Sequence, residues 1–184
     1  KKRTGPRNFK TNRGRNTTMI LMYIITGALV LASLIIQGHS SFDVLRIGGV
    51  KPDLVFIVIV YFAYSFGSLY GEVTGFIGGI LNDAISNSPL GFMAFPKMAL
   101  GFIIGFFGRS IFKENLFTIF LLIFFASIAK GVITLILAYL FHEGALSSVT
   151  SIILPESFYN ALLSPPLFFL FDKIFEQELS REGR

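Results

Sequence analysis

The sequence predicts an all-α, polytopic integral membrane protein with six transmembrane helices and both termini cytoplasmic. Three observations lead there. The chain is 53% hydrophobic with only 15% charged residues, its mean hydropathy is +0.68, and the apolar residues come in long runs. Basic residues crowd one set of segments. Glycines recur every fourth residue at Gly67, Gly71, Gly75 and Gly79 inside an almost uncharged stretch. Such spacing strips one helix face of side chains and lets another helix approach, a packing device of membrane interiors.

A bilayer core about 30 Å thick needs roughly 20 apolar residues per helix. The first span is expected at about 18–37. The loop that follows, 39–51, holds Asp43, Arg46, Gly48 and Gly49. The second span opens at Pro52-Asp53, where proline suits a helix start because its missing N–H would be unpaired there, and runs to about Leu69. The third runs from about Gly71 to Ser86, and Asn87-Ser88-Pro89 turns the chain. The fourth covers about 91–108, the fifth about 116–141, and His142 to Ser151 is read as a loop. The sixth starts near Pro155-Glu156 and ends at Phe171, with Pro165-Pro166 expected to kink it. Domain boundaries follow: a basic tail at 1–16, a membrane domain at 17–175 and a charged tail at 176–184.

The basic tail holds Lys1, Lys2, Arg3, Arg7, Lys10, Arg13 and Arg15 with no acid among them. A nucleic-acid arm and a cytoplasmic flank are the two readings. An apolar run follows at once, which favours the flank and contact with anionic lipid, not nucleic acid. Arg109, Lys113, Lys173, Arg181 and Arg184 fall on the same side, and only Arg46 and Lys51 fall opposite. That bias fits an even number of crossings. The run from Thr17 to Gly38 is longer than the apolar core of a cleaved signal peptide, and a first residue other than Met is read as trimming.

Chemistry-bearing patterns are sparse. There is no cysteine, so no disulfide, thiolate metal site or Cys nucleophile is available. His39 and His142 sit in separate loops, and no phosphate loop or HExxH motif occurs. No enzyme, metal or cofactor is expected. The intramembrane polar set is Asn82, Asp83, Lys97, Lys130 and Asn160, costly at membrane depth and so candidates for function. Asp83 follows Gly79 by four, and Gly101 and Gly105 follow Lys97 by fours, so each charge shares a face with glycines. Asp83 and Lys97 are therefore expected to meet as a polar lock, either a structural ion pair or a ligand, proton or partner site. Lys130 is expected to contact Asn82, Asn160 or a carbonyl. Glu72 and Glu156 are read as helix caps. Ala28 and Ala32 form a small-xxx-small face for a partner helix.

Lys51-Pro52-Asp53-Leu54, then Gly75-Phe76-Ile77-Gly78-Gly79-Ile80-Leu81-Asn82-Asp83, then Ser88-Pro89-Leu90-Gly91, resembles the rod shape-determining protein MreD family. Asn160-Ala161-Leu162-Leu163-Ser164-Pro165-Pro166 is similar to that family's last span. The resemblance implies a non-enzymatic inner-membrane scaffold of the bacterial wall-elongation complex. Its implied partner is the bitopic MreC, and through it RodA, the elongation-specific penicillin-binding protein and MreB. It also implies a fold like the substrate-binding subunits of ECF-type vitamin transporters, the alternative function, in which Ala28 and Ala32 would dock the transporter. Outer loops poor in polar residues and lacking Trp do not favour vitamin binding. In the scaffold reading, Gly48, Gly49, Pro89, Leu90 and Gly91 form outer surfaces that guide the partner where it leaves the membrane.

Overall fold

A computed structural model describes residues 9–39, 46, 49–86, 88–111, 115–141 and 146–181; side chains are described within 22–107, 115–141 and 151–175. Six helices follow one another: α1 (Phe9–Gly38), α2 (Leu54–Phe66), α3 (Ser68–Ser86), α4 (Ala94–Ile111), α5 (Leu116–Leu140) and α6 (Leu146–Arg181). No strand occurs among the described residues, so the fold is all-α. Lys1, Lys2, Arg3, Arg7 and Gly48 lie outside the described residues, and Lys10, Arg13 and Arg15 are described only as backbone of α1.

Helix α2 is the axis. Every residue from Val55 to Ser65 is buried, on all faces of the helix. A helix that is apolar all round belongs inside, not at a surface. Its 13 residues span only about 20 Å at the α-helical rise. Both ends are set locally. Asp53 caps the start by accepting from the Phe56 backbone N–H at 3.0 Å. Gly67 ends it with φ +97°, a conformation that side chains oppose. The second span therefore stops short of Leu69, α3 begins at Ser68, and Gly67 is a break between helices, not a rung of the α3 glycine face.

Helices α3 and α4 form a tight antiparallel hairpin. A Cβ at Gly71 would strike the Gly101 carbonyl and Ala63; one at Gly75 would strike the Lys97 and Met98 backbone; one at Gly79 would strike Ala94. One at Gly105 would strike the Gly67–Ser68 backbone. Each four-residue step along α3 thus matches a step of three to four residues back along α4. Helices α5 and α6 form the second hairpin, joined by Asn160 Nδ2 donating to Ser127 Oγ at 3.2 Å and by Gly131 lying under Ile153. An aromatic cluster binds α6 to the axis: Tyr61 packs on Phe168 and Phe171 with ring centroids 5.1 and 5.0 Å apart, and its hydroxyl donates to Asp172 at 3.1 Å. Helix α1 covers the remaining flank through Val30 and Leu34.

Helix α6 differs from expectation. It starts at Leu146 and runs for 36 residues through Pro155, Pro165 and Pro166, so much of the segment read as the 142–151 loop is helical. Among the described residues, only α5 is long and apolar enough to cross a membrane by itself; Met22–Gly38, Leu54–Phe66 and Ala94–Phe107 are shorter apolar stretches.

Candidate functional site

Four charged side chains gather where the first turns of α2 and α4 meet the middle of α5 and α6. Asp53, at the first turn of α2, is the hub. Lys97 of α4 reaches its Oδ2 at 3.0 Å and its Oδ1 at 3.3 Å. Lys130 of α5 reaches Oδ2 at 2.7 Å. Lys130 Nζ also pairs with Glu156 Oε1 of α6 and stands 5.0 Å from the centre of the Phe56 ring. Asn160 fixes the hub from behind: its Oδ1 accepts from the Asp53 backbone N–H at 2.7 Å.

Two cations and two anions are thus neutralised within one cluster spanning α2, α4, α5 and α6. Buried charge is tolerated only when paired and hydrogen-bonded. Lys97, 1% exposed, depends wholly on Asp53 for that pairing.

The expected Asp83–Lys97 contact does not form. Asp83 is fully buried, and its carboxylate turns to the returning chain. It accepts from the backbone N–H groups of Gly91 at 2.9 Å, Met93 at 2.8 Å and Ala94 at 3.3 Å. The first amides of a helix have no intrahelical partner and carry the positive end of its dipole, so a carboxylate there is well placed. Asp83 therefore ties the 88–93 turn and the start of α4 to α3. Lys97, one turn further on, points to the axis.

Other expected sites separate as well. Lys130 makes its side-chain hydrogen bonds to Asp53 and Glu156, not to Asn82 or Asn160. Glu156 lies within α6 as an ion partner, not at a helix start as a cap. Asn82 lines a cavity of about 490 Å³ beside the cluster, together with Lys51, Phe92, Met93 and Ile153. Ala28, Ala32, Gly49, Pro89 and Leu90 are exposed and Gly91 is half-buried; nothing stands within 4 Å of a Cβ built on Gly27 or Gly49. Asp53 and Glu156 are the functional side chains that sequence reasoning missed. Both stand beside a proline at the expected start of an apolar run, at the level of Lys97 and on the side that Lys130 approaches. Shared depth, more than helix adjacency, was the available signal.

An all-helical bundle that exposes apolar side chains such as Ile24, Ile35, Phe102, Phe106 and Phe125 and buries a neutralised ionic cluster fits the class of membrane-associated helical proteins. The family model for rod shape-determining protein MreD matches residues 12–177. The chain belongs to that family, and its role lies in rod-shape determination. No curated protein and no solved structure matches it.

Proposed function

We propose that this chain is a multi-pass scaffold of the bacterial inner membrane, with six spans and cytoplasmic termini, that binds and stabilises MreC and so helps regulate peptidoglycan synthesis during elongation. It performs no catalysis in this reading; RodA, the elongation-specific penicillin-binding protein and MreB are reached through MreC. The observation that carries it is the uncovered face of α1. Ala28, Leu31, Ala32 and Ile35 are exposed, while the glycine faces of α3 and α4 are consumed by each other. Small residues on an open apolar face suit close approach by another membrane helix. The exposed Pro89 and Leu90 stand at the end where such a helix would leave the bilayer.

Purification in mild detergent tests this. MreC should accompany the unchanged chain, and Ala28→Leu with Ala32→Leu should cut its recovery about tenfold, the loss expected for roughly 1.4 kcal/mol. Unchanged recovery would remove α1 as the docking face. A second reading, the substrate-binding subunit of an ECF-type transporter, is favoured by the cavity beside the ionic cluster. Recovery of paired ATPases with a coupling subunit would support it instead.

A further inference from the structure

The cavity of about 490 Å³ opens between the two helical hairpins, and its walls are mostly apolar: Phe92, Met93, Ile152 and Ile153 line it. What it offers a ligand depends on which polar groups are already spent. Asp53 uses both oxygens on Lys97 and Lys130. Lys97 is given to Asp53 alone. Lys130 divides its ammonium among Asp53, Glu156 and the Phe56 ring. Thr134 donates to the Lys130 carbonyl at 2.9 Å, and Gln37 donates to the Pro52 carbonyl at 3.1 Å.

Two groups remain. Glu156 engages Lys130 through Oε1 only, and its Oε2 has no hydrogen-bond partner among the described residues. The Asn82 carboxamide, on the facing hairpin, likewise has none. An ionised carboxylate has about four acceptor sites and no donor. An unspent carboxylate oxygen and a carboxamide at an apolar cavity call for a donor group that carries positive charge and is borne on an alkyl chain. An entering anion would meet the unpaired Glu156 Oε2, while the ammonium groups of Lys97 and Lys130 in the same lining are already engaged by carboxylates. The third cation of the lining, Lys51, is engaged as well, its Nζ reaching the Gln37 carbonyl at 3.5 Å.

We propose that this cavity is a receptor for one cationic nitrogen group, an alkylammonium or alkylguanidinium, held by Glu156 from α6 and Asn82 from α3. The inference does not rest on the scaffold reading, since a small cation binds the isolated chain whether or not a protein partner exists. The group comes either from a basic side chain of a membrane partner or from a free amine, and the chemistry is common to both.

The test is calorimetric titration of the detergent-solubilised full chain with n-butylammonium, n-butylguanidinium, butyrate and n-butanol. Saturable binding is expected for the two cations and not for butyrate or butanol. Glu156→Gln should weaken the cations about 10-fold to 100-fold, the worth of one charge-assisted hydrogen bond. Asn82→Ala should weaken them by roughly threefold to tenfold; it leaves the ionic cluster untouched and decides the matter where Glu156→Gln does not fold. Butyrate binding as tight as butylammonium, or cation binding unmoved by the variant that folds, overturns the proposal. Repeating the titration on chain purified with its membrane partners separates the sources: a protein-borne cation blocks the probe, whereas a free amine leaves the cavity titratable.

Discussion

Asp53 is the residue on which the polar interior depends. It caps α2, neutralises Lys97 and shares Lys130 with Glu156. Removing one member of a buried ion cluster leaves the other charges stranded, which costs about 3–5 kcal/mol. Asp53→Ala should therefore cost that much in a thermal or denaturant unfolding assay in detergent, and a loss under about 1 kcal/mol would show that water reaches Lys97 freely. Asp83 should behave differently. Its carboxylate caps α4, so Asp83→Ala should cost about 0.5–2 kcal/mol and leave Lys97 paired with Asp53. The two aspartates were not separable in the sequence. Helical spacing says which residues share a face, and it put Asp83 and Lys97 on glycine faces. It does not say that a neighbouring backbone offers Asp83 three unpaired amides, or that Lys97 has an anion waiting on a helix more than forty residues earlier in the chain.

At the scale of elements, the α3–α4 hairpin is held by absence of side chains. The glycine spacing was legible, because a period of four needs no tertiary information to define a face. Its limit was also local: Gly67 fits the spacing but has φ +97°, and nothing in a run of fours distinguishes a helix break from a rung. The extent of α6 was illegible for the opposite reason. Prolines at Pro155, Pro165 and Pro166 argue for helix ends, yet the helix continues through them. Packing on α2 through Phe168, Phe171 and Phe175 compensates for the lost backbone bonds. The hairpin makes a graded prediction. Gly71→Ala and Gly101→Ala each drive a Cβ into backbone, and overpacking of this kind costs about 1–3 kcal/mol. Gly27→Ala meets no atom within 4 Å and should be neutral or slightly stabilising, since alanine is the better helix former. Equal effects at the three positions, measured by unfolding in one detergent, would mean that α3 and α4 do not approach this closely.

The whole molecule is an apolar axis in a sleeve, and that arrangement explains why, among the described residues, only α5 is long and apolar enough to cross a membrane by itself. Helix α2, only 13 residues long, is surrounded by α1, α3, α4 and α6. Helix α3 is diluted by the glycines, Thr74, Asn82 and Asp83 that pack it. Membrane insertion would, in the proposed reading, be a property of the bundle and not of each helix taken alone. In the proposed topology, the distribution of basic residues would put the cluster end, with Gly49 and Leu90, on the outer side and Asn115 on the cytoplasmic side. The chain has no cysteine, so single cysteines placed at Gly49, Leu90 and Asn115 report without background. In intact cells, a membrane-impermeant maleimide should label the first two and reach Asn115→Cys only after the membrane is opened. The reverse pattern would invert the molecule, put the ionic cluster and its cavity on the cytoplasmic side, and withdraw the exposed Pro89-Leu90 turn from any partner outside the bilayer. Labelling at all three sites in intact cells would break the even number of crossings, and with it the placement of both termini on one side.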